Sequence, residues 1–151
     1  MDILRRLYPP FVGGRGALGL LLVRLVMGLA FILHGYSKIQ NPTGWMGPSG
    51  PPGFMQALAA ISEFGGGFAI LLGLLTPLAS LGIICTMIGA LFLALLPKGA
   101  VFVSNSGGAS YELPLMFLVV AIAFITLGPG TLSVDALLFG RKSQTGPRGT
   151  Q

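Results

Sequence analysis

Charge is what this chain lacks. Of its 151 residues only 9% are Asp, Glu, Lys or Arg, against about 25% in an ordinary soluble domain. That is too little to cover a water-facing surface. The acids are Asp2, Glu63, Glu112 and Asp135, and histidine, cysteine and tryptophan occur once each. A single cysteine excludes an intrachain disulfide and any CxxC redox or zinc motif. One histidine with no cysteine beside it falls short of the common zinc ligand sets, so no metal site is expected. The net charge of +5 does not point to nucleic acid, because the basic residues cluster at the two termini beside apolar spans. A cleavable leader is not expected either: the apolar run after Arg15 is too long for a signal h-region and no A-x-A site follows it.

What the chain has is apolar sequence, 53% of the total, divided into membrane-length runs. The first, about Ala17 to His34, carries Arg24 in its interior and leads into His34-Gly35-Tyr36-Ser37-Lys38. The residues Ala17, Leu21, Arg24, Gly28, Phe31, Gly35 and Lys38 follow the 4-3 spacing of a packing seam. Gly28 and Gly35 on that seam allow close helix approach. A Pro/Gly loop, Asn41 to Gly53, holds Trp45 as an interfacial anchor. The second span, about Phe54 to Leu75, has a ridge of small residues that includes Gly66 and Gly73, with Glu63 at its border. Thr76-Pro77 makes a tight turn into the third span, about Leu78 to Leu96, with Pro77 suited to the first helical position. A second long loop follows, then a fourth span from Glu112 to Leu127, stopped by Gly128-Pro129-Gly130. Ser133 can cap a last short helix, Val134 to Phe139, in which Asp135 complements the helix dipole.

The expected fold is all-α: a four-helix transmembrane bundle with both termini on one side. Its organisation is an interfacial segment over 1–16, a membrane domain over 17–139 and a basic tail over 140–151. Arg5, Arg6, Arg15, Arg141, Lys142 and Arg148 collect on the terminal side, which the positive-inside rule places in the cytoplasm.

Two polar sites are expected within this frame. Arg24 and Glu63 both fall near mid-depth if span one ends at His34 and span two begins at Phe54, and a charge in hydrocarbon is rarely left without a partner. An intramembrane ion pair between them would fix helix register or serve a ligand or proton relay. At the outer end, His34, Lys38, Tyr36, Tyr111 and Glu112 are expected to converge on a polar pocket under the two long loops. There the aromatic rings suit a quinone or a lipid headgroup, and a histidine with a carboxylate suits proton exchange. Cys85, mid-span with no basic neighbour in sequence, is expected to be inert.

The ordered set Arg24…His34-Gly35-x-x-Lys38, Glu63-Phe64-Gly65-Gly66, Leu72-Gly73-Leu74-Leu75-Thr76-Pro77-Leu78-Ala79, Tyr111-Glu112 and Gly128-Pro129-Gly130-x-x-Ser133-x-Asp135 resembles the DoxX family. The resemblance covers roughly Gly16 to Phe139. It implies a small four-helix protein of a bacterial or archaeal cytoplasmic membrane, multi-pass with both termini cytoplasmic. It also implies an association with oxidation–reduction, in which relatives serve as membrane subunits of a quinone-linked enzyme or as partners of stress enzymes. The expectation is therefore an integral-membrane subunit or anchor of a redox assembly, with quinone as the candidate occupant of its outer face and no covalently bound cofactor. Its partners would be the lipid bilayer and other redox subunits, not nucleic acid. The alternatives are a standalone quinone-reactive oxidoreductase and a small-solute transporter or channel.

Overall fold

A computed structural model describes residues 8–140. The expected interfacial segment is thus described only from residue 8, and the basic tail beyond Gly140 lies outside the described residues. Helix α1 is Gly14–Gln40, α2 Gly53–Leu72, α3 Thr76–Gly89, α4 Glu112–Leu127 and α5 Val134–Phe139. Helix α3 runs on through a π-helical stretch, Ala90–Leu95, and a 3-10 turn, Leu96–Lys98. At 27 residues, α1 is roughly 40 Å long, more than the roughly 30 Å hydrocarbon layer requires.

The fold is a helical membrane bundle. Each of α2 to α4 runs antiparallel to the one before it, and α1 meets α4 through the Phe31 and Phe117 rings, 4.8 Å apart. Both ends of the described chain reach the same end of the bundle. There Pro9 packs on Gly128, and the Thr131 amide donates to the Val12 carbonyl at 2.9 Å. We call this the terminal end. The opposite, loop end carries the segments 41–52 and 99–111.

Every long helix contributes to one core: Met27 and Phe31, Ile70, Ile83 and Met87, Ala121 and Phe124 are all buried. The outward faces are apolar as well. Leu22, Val26, Leu29 and Leu33 on α1, Leu58 and Ile61 on α2, and Leu78, Leu81 and Phe92 on α3 and its continuation are exposed. Water would not tolerate so continuous an apolar surface, whereas lipid solvates it.

Two glycines set the α1–α2 register. A Cβ on Gly28 would lie 2.7 Å from the Leu71 Cβ, and one on Gly35 would lie 2.5 Å from the Phe64 amide nitrogen. The backbones approach this closely only because both positions lack a side chain. Carried along the antiparallel pair, that register puts Glu63 beside Tyr36 and Arg24 beside Leu75. Gly66 faces α3 instead, where a Cβ would meet Ile83 at 3.6 Å. Gly73, expected on the packing ridge, is the C-cap of α2. Its φ of +66° is left-handed, and the Leu74 amide bonds back to the Ala69 carbonyl at 2.8 Å, which satisfies the carbonyls at the helix end.

Candidate functional site: a cavity with a buried ion pair

Lys38 stands one turn beyond Gly35 on the buried stripe of α1, so its side chain turns toward α2. There its Nζ donates to both carboxylate oxygens of Glu63, each at 2.6 Å. Glu63 is 3% exposed and Lys38 22%. A lone carboxylate at that depth would cost several kcal/mol, roughly, and the ammonium offsets the cost by proximity and by hydrogen bonding. The Trp45 ring then covers the ammonium, with Nζ 4.5 Å from the ring centroid, a cation–π contact strengthened by exclusion of water.

Trp45 and its loop are held in place by one residue. Gln56, buried in the first turn of α2, turns both ends of its side-chain amide to the loop. Its Oε1 accepts from the Met46 amide at 2.9 Å and its Nε2 donates to the Pro51 carbonyl at 2.8 Å. Its backbone carbonyl accepts from the Trp45 indole Nε1 at 3.1 Å. The 41–52 loop is thereby closed over the loop end of α2.

Beneath this roof lies a cavity of about 420 Å³, within the usual range for small-molecule sites. Helices α2 and α3 form its sides. They touch at its floor, where a Cβ on Gly82 would lie 3.0 Å from the Ser62 hydroxyl, and diverge toward the loop end. Lys38 and Glu63 line the inner wall; Trp45 and Met46 line the roof; Cys85, Ala90 and Leu93 line the α3 side. The π-helical stretch supplies part of that wall, and its wider turn displaces the backbone locally. The Thr86 hydroxyl donates to the Gly82 carbonyl at 3.0 Å. The lining is thus an apolar box with one charged edge.

This arrangement corrects both polar sites expected from sequence. Arg24 and Glu63 do not pair. Helix α1 continues six residues past His34, to Gln40, and in the resulting register Arg24 and Glu63 lie about 18 Å apart along the axis. Nor do His34, Lys38 and Glu112 converge. Of the five residues expected in the outer pocket only Lys38 lines the cavity. His34 and Glu112 are exposed. Tyr36 is exposed with its ring 6.4 Å from Phe64, and Tyr111 packs on Phe102 at 5.7 Å. Glu63 offers Lys38 a carboxylate out of water, and Glu112 at the head of α4 does not. Cys85, expected to be inert at mid-span, is exposed at the cavity wall. No group of three or more His, Cys, Asp or Glu suited to a metal occurs among the described residues.

Arg24 belongs to a second polar cluster, at the terminal end. Its Nη1 donates to the Pro129 carbonyl at 2.8 Å and its Nη2 to the Leu71 carbonyl at 3.5 Å, in the field of Asp135. Asp135 is fully buried. Its Oδ1 accepts from the Leu75 amide at 2.7 Å, its Oδ2 from the Thr76 amide at 2.8 Å, and its own amide donates to the Gly73 carbonyl at 2.8 Å. Asp135 therefore caps α3, a different helix from its own, and holds Leu75 at a left-handed φ of +47°. Ser133 caps α5 by accepting from the Ala136 amide at 3.1 Å. Gly73 gives this cluster room, since a Cβ there would sit 2.6 Å from Arg24 Nη1. Burial, and then the nearby Asp135 carboxylate, push the Tyr8 phenol well above its ordinary pKa. The sequence signal for the cluster was present in Gly128-Pro129-Gly130-x-x-Ser133-x-Asp135, which brings an acid back to the neighbourhood of Arg24.

Comparison with known proteins follows the same lines. The DoxX family profile matches residues 19–96. The chain is similar to the inner membrane protein YqjF of Escherichia coli (strain K12), 37% identical over 129 residues that cover 80% of this chain and 92% of the relative. It is also similar to a Bacillus subtilis (strain 168) protein named "Putative oxidoreductase CatD", 32% identical over 130 residues, 83% of this chain and 92% of that one. The uncharacterized membrane protein Rv3486 of Mycobacterium tuberculosis (strain ATCC 25618 / H37Rv) is 30% identical over 154 aligned positions, 93% and 94% of the two chains. No solved structure gives a significant match.

Proposed function

The chain belongs to the DoxX family of membrane proteins, and from that premise we propose that it is an integral-membrane subunit of a redox assembly whose cavity receives a quinone-type ring. The observation that carries this reading is the charged edge of an otherwise apolar box: Lys38 and Glu63, paired at 2.6 Å, on the wall of a cavity of about 420 Å³. A quinone presents carbonyl oxygens and a flat apolar ring. The Lys38 ammonium can donate to such an oxygen, and the Glu63 carboxylate can accept from the hydroxyl of the reduced form. Reducing the ring takes two electrons and two protons. In this reading the chain binds the ring and handles protons at these two side chains, while the electrons come from a partner subunit. The name of the CatD relative supports a connection with oxidation–reduction.

Trp45 is the sole tryptophan, so its fluorescence reports on this cavity. Titration of the detergent-solubilised protein with a quinone analogue should quench it saturably. The double variant Lys38→Met/Glu63→Gln, which removes both charges together, should weaken the affinity at least ~10-fold, the loss of roughly one charge-assisted hydrogen bond. Absence of saturable quenching in the wild type would refute quinone binding. Affinity purification in mild detergent tests the subunit role, which predicts a co-purifying redox protein.

A further inference from the structure

We infer that the cavity opens sideways, between α2 and α3, into the half of the bilayer on the loop side, so that its occupant arrives from lipid and not from water. The identity of the ring rests on the function proposed above; the direction of the opening does not. Four observations carry it. The loop end is roofed, because Gln56 and Trp45 spend their polar groups tying the 41–52 loop down. The inner wall is lined by the Lys38–Glu63 pair, of which Glu63 is buried and Lys38 is covered by the Trp45 ring. The floor is closed where Ser62 meets Gly82. What remains is the outer side of the α2–α3 groove, where the lining residues Leu58 and Leu93 are 61% and 58% exposed.

That rim is continuous with the lipid-facing surface, flanked by Ile61 and Phe92. Between Gly53 and Pro97 the only charged residue is Glu63, and it faces inward to Lys38. A mouth with no charge at its rim admits hydrocarbon more readily than ions. The occupant this geometry fits carries two parts: a ring with hydrogen-bonding oxygens, placed against Lys38 and Glu63, and an apolar tail that trails between Leu58 and Leu93 into the membrane.

The sole cysteine makes this testable. Cys85 lines the cavity and is exposed on its α3 side. In lipid nanodiscs, with both aqueous faces open to reagent, the full-length protein is treated with an uncharged, lipid-partitioning maleimide or with a charged one. Rates are normalised to labelling of the same protein unfolded in detergent, and Cys85→Ser is the blank. The uncharged reagent should label Cys85 and the charged one should be roughly 50-fold slower or worse, as expected for moving a charge into the hydrocarbon layer. Comparable rates would place the mouth in water and overturn the inference, and so would the absence of labelling by both. A quinone analogue with a decyl tail, added before the uncharged reagent, should protect Cys85, and the same ring without the tail should protect it less at equal aqueous concentration. Equal protection by the two would refute the trailing tail. If neither protects while the labelling contrast holds, the lateral mouth stands and the quinone reading falls.

Discussion

Replacing Asp135 by Asn tests the terminal-end cluster more sharply than any other change. The carboxylate is fully buried and accepts one backbone N–H on each oxygen, from Leu75 and Thr76. The amide keeps one acceptor and turns an NH2 group toward the other donor, so one charge-assisted bond of about 1.5–3 kcal/mol is lost outright. Arg24, 2% exposed, also loses the nearby negative charge of Asp135, though the two side chains make no direct ion pair and the Pro129 and Leu71 carbonyls still accept from the guanidinium. The expected loss is therefore about 2–3 kcal/mol, set mainly by the charge-assisted bond. Unfolding in mixed micelles of increasing SDS fraction, followed by far-ultraviolet circular dichroism, measures it. A double-mutant cycle with Arg24→Met should give a coupling of about 1–3 kcal/mol. A loss below about 0.5 kcal/mol for Asp135→Asn, the level of an ordinary surface change, would refute the assigned role.

Three further outcomes follow from the packing. Gly35→Ala, which drives a Cβ to 2.5 Å from the Phe64 nitrogen, should cost about 1–3 kcal/mol, whereas Gly65→Ala, with nothing within 4 Å of its Cβ, should be neutral or gain up to about 1 kcal/mol; the same unfolding assay separates them. Lys38→Met alone should destabilise by about 3–5 kcal/mol and Lys38→Met/Glu63→Gln by clearly less, and equal losses would mean the pair is not coupled. The raised pKa of Tyr8 means the folded state favours the protonated phenol; its contribution is intact below the ordinary value of 10.0 and is lost as pH rises above it. Absorbance at the phenolate band should show one tyrosine ionising late, and Tyr8→Phe should remove that late step.

Much of the fold is written locally in the sequence. Helix α4 occupies Glu112–Leu127, as the Gly128-Pro129-Gly130 stop dictates, and α3 begins at the Thr76-Pro77 turn. The end of α1 was not legible, because Gly35 after His34 looks like a terminus. It is a contact point, packed on the Phe64 backbone, and the helix passes through it to Gln40. Six residues of helix moved the register and with it every inferred depth, so Glu63 met Lys38 and not Arg24. The cavity site was half legible: Lys38 and Trp45 stood out by residue type, but the turn of Lys38 toward α2 depends on tertiary packing. Asp135 was legible only in part, for a related reason. It stands in the first turn of α5 as expected, but only the folding back of residues 128–139 brings its carboxylate to the head of α3.

The two ends of the α2–α3 pair are unlike mechanically. At one end the Gly73–Thr76 turn is fastened by Asp135 and flanked by Arg24; at the other the helices flank a cavity that a single loop roofs. Because α2 is also held against α1 at Gly28 and Gly35, an occupant larger than the cavity would have to displace α3. With α3 and its continuation 23 residues long, and so about 35 Å, a tilt of about 4° at the turn would move its far end by roughly 2.5 Å, most of the thickness of an aromatic ring.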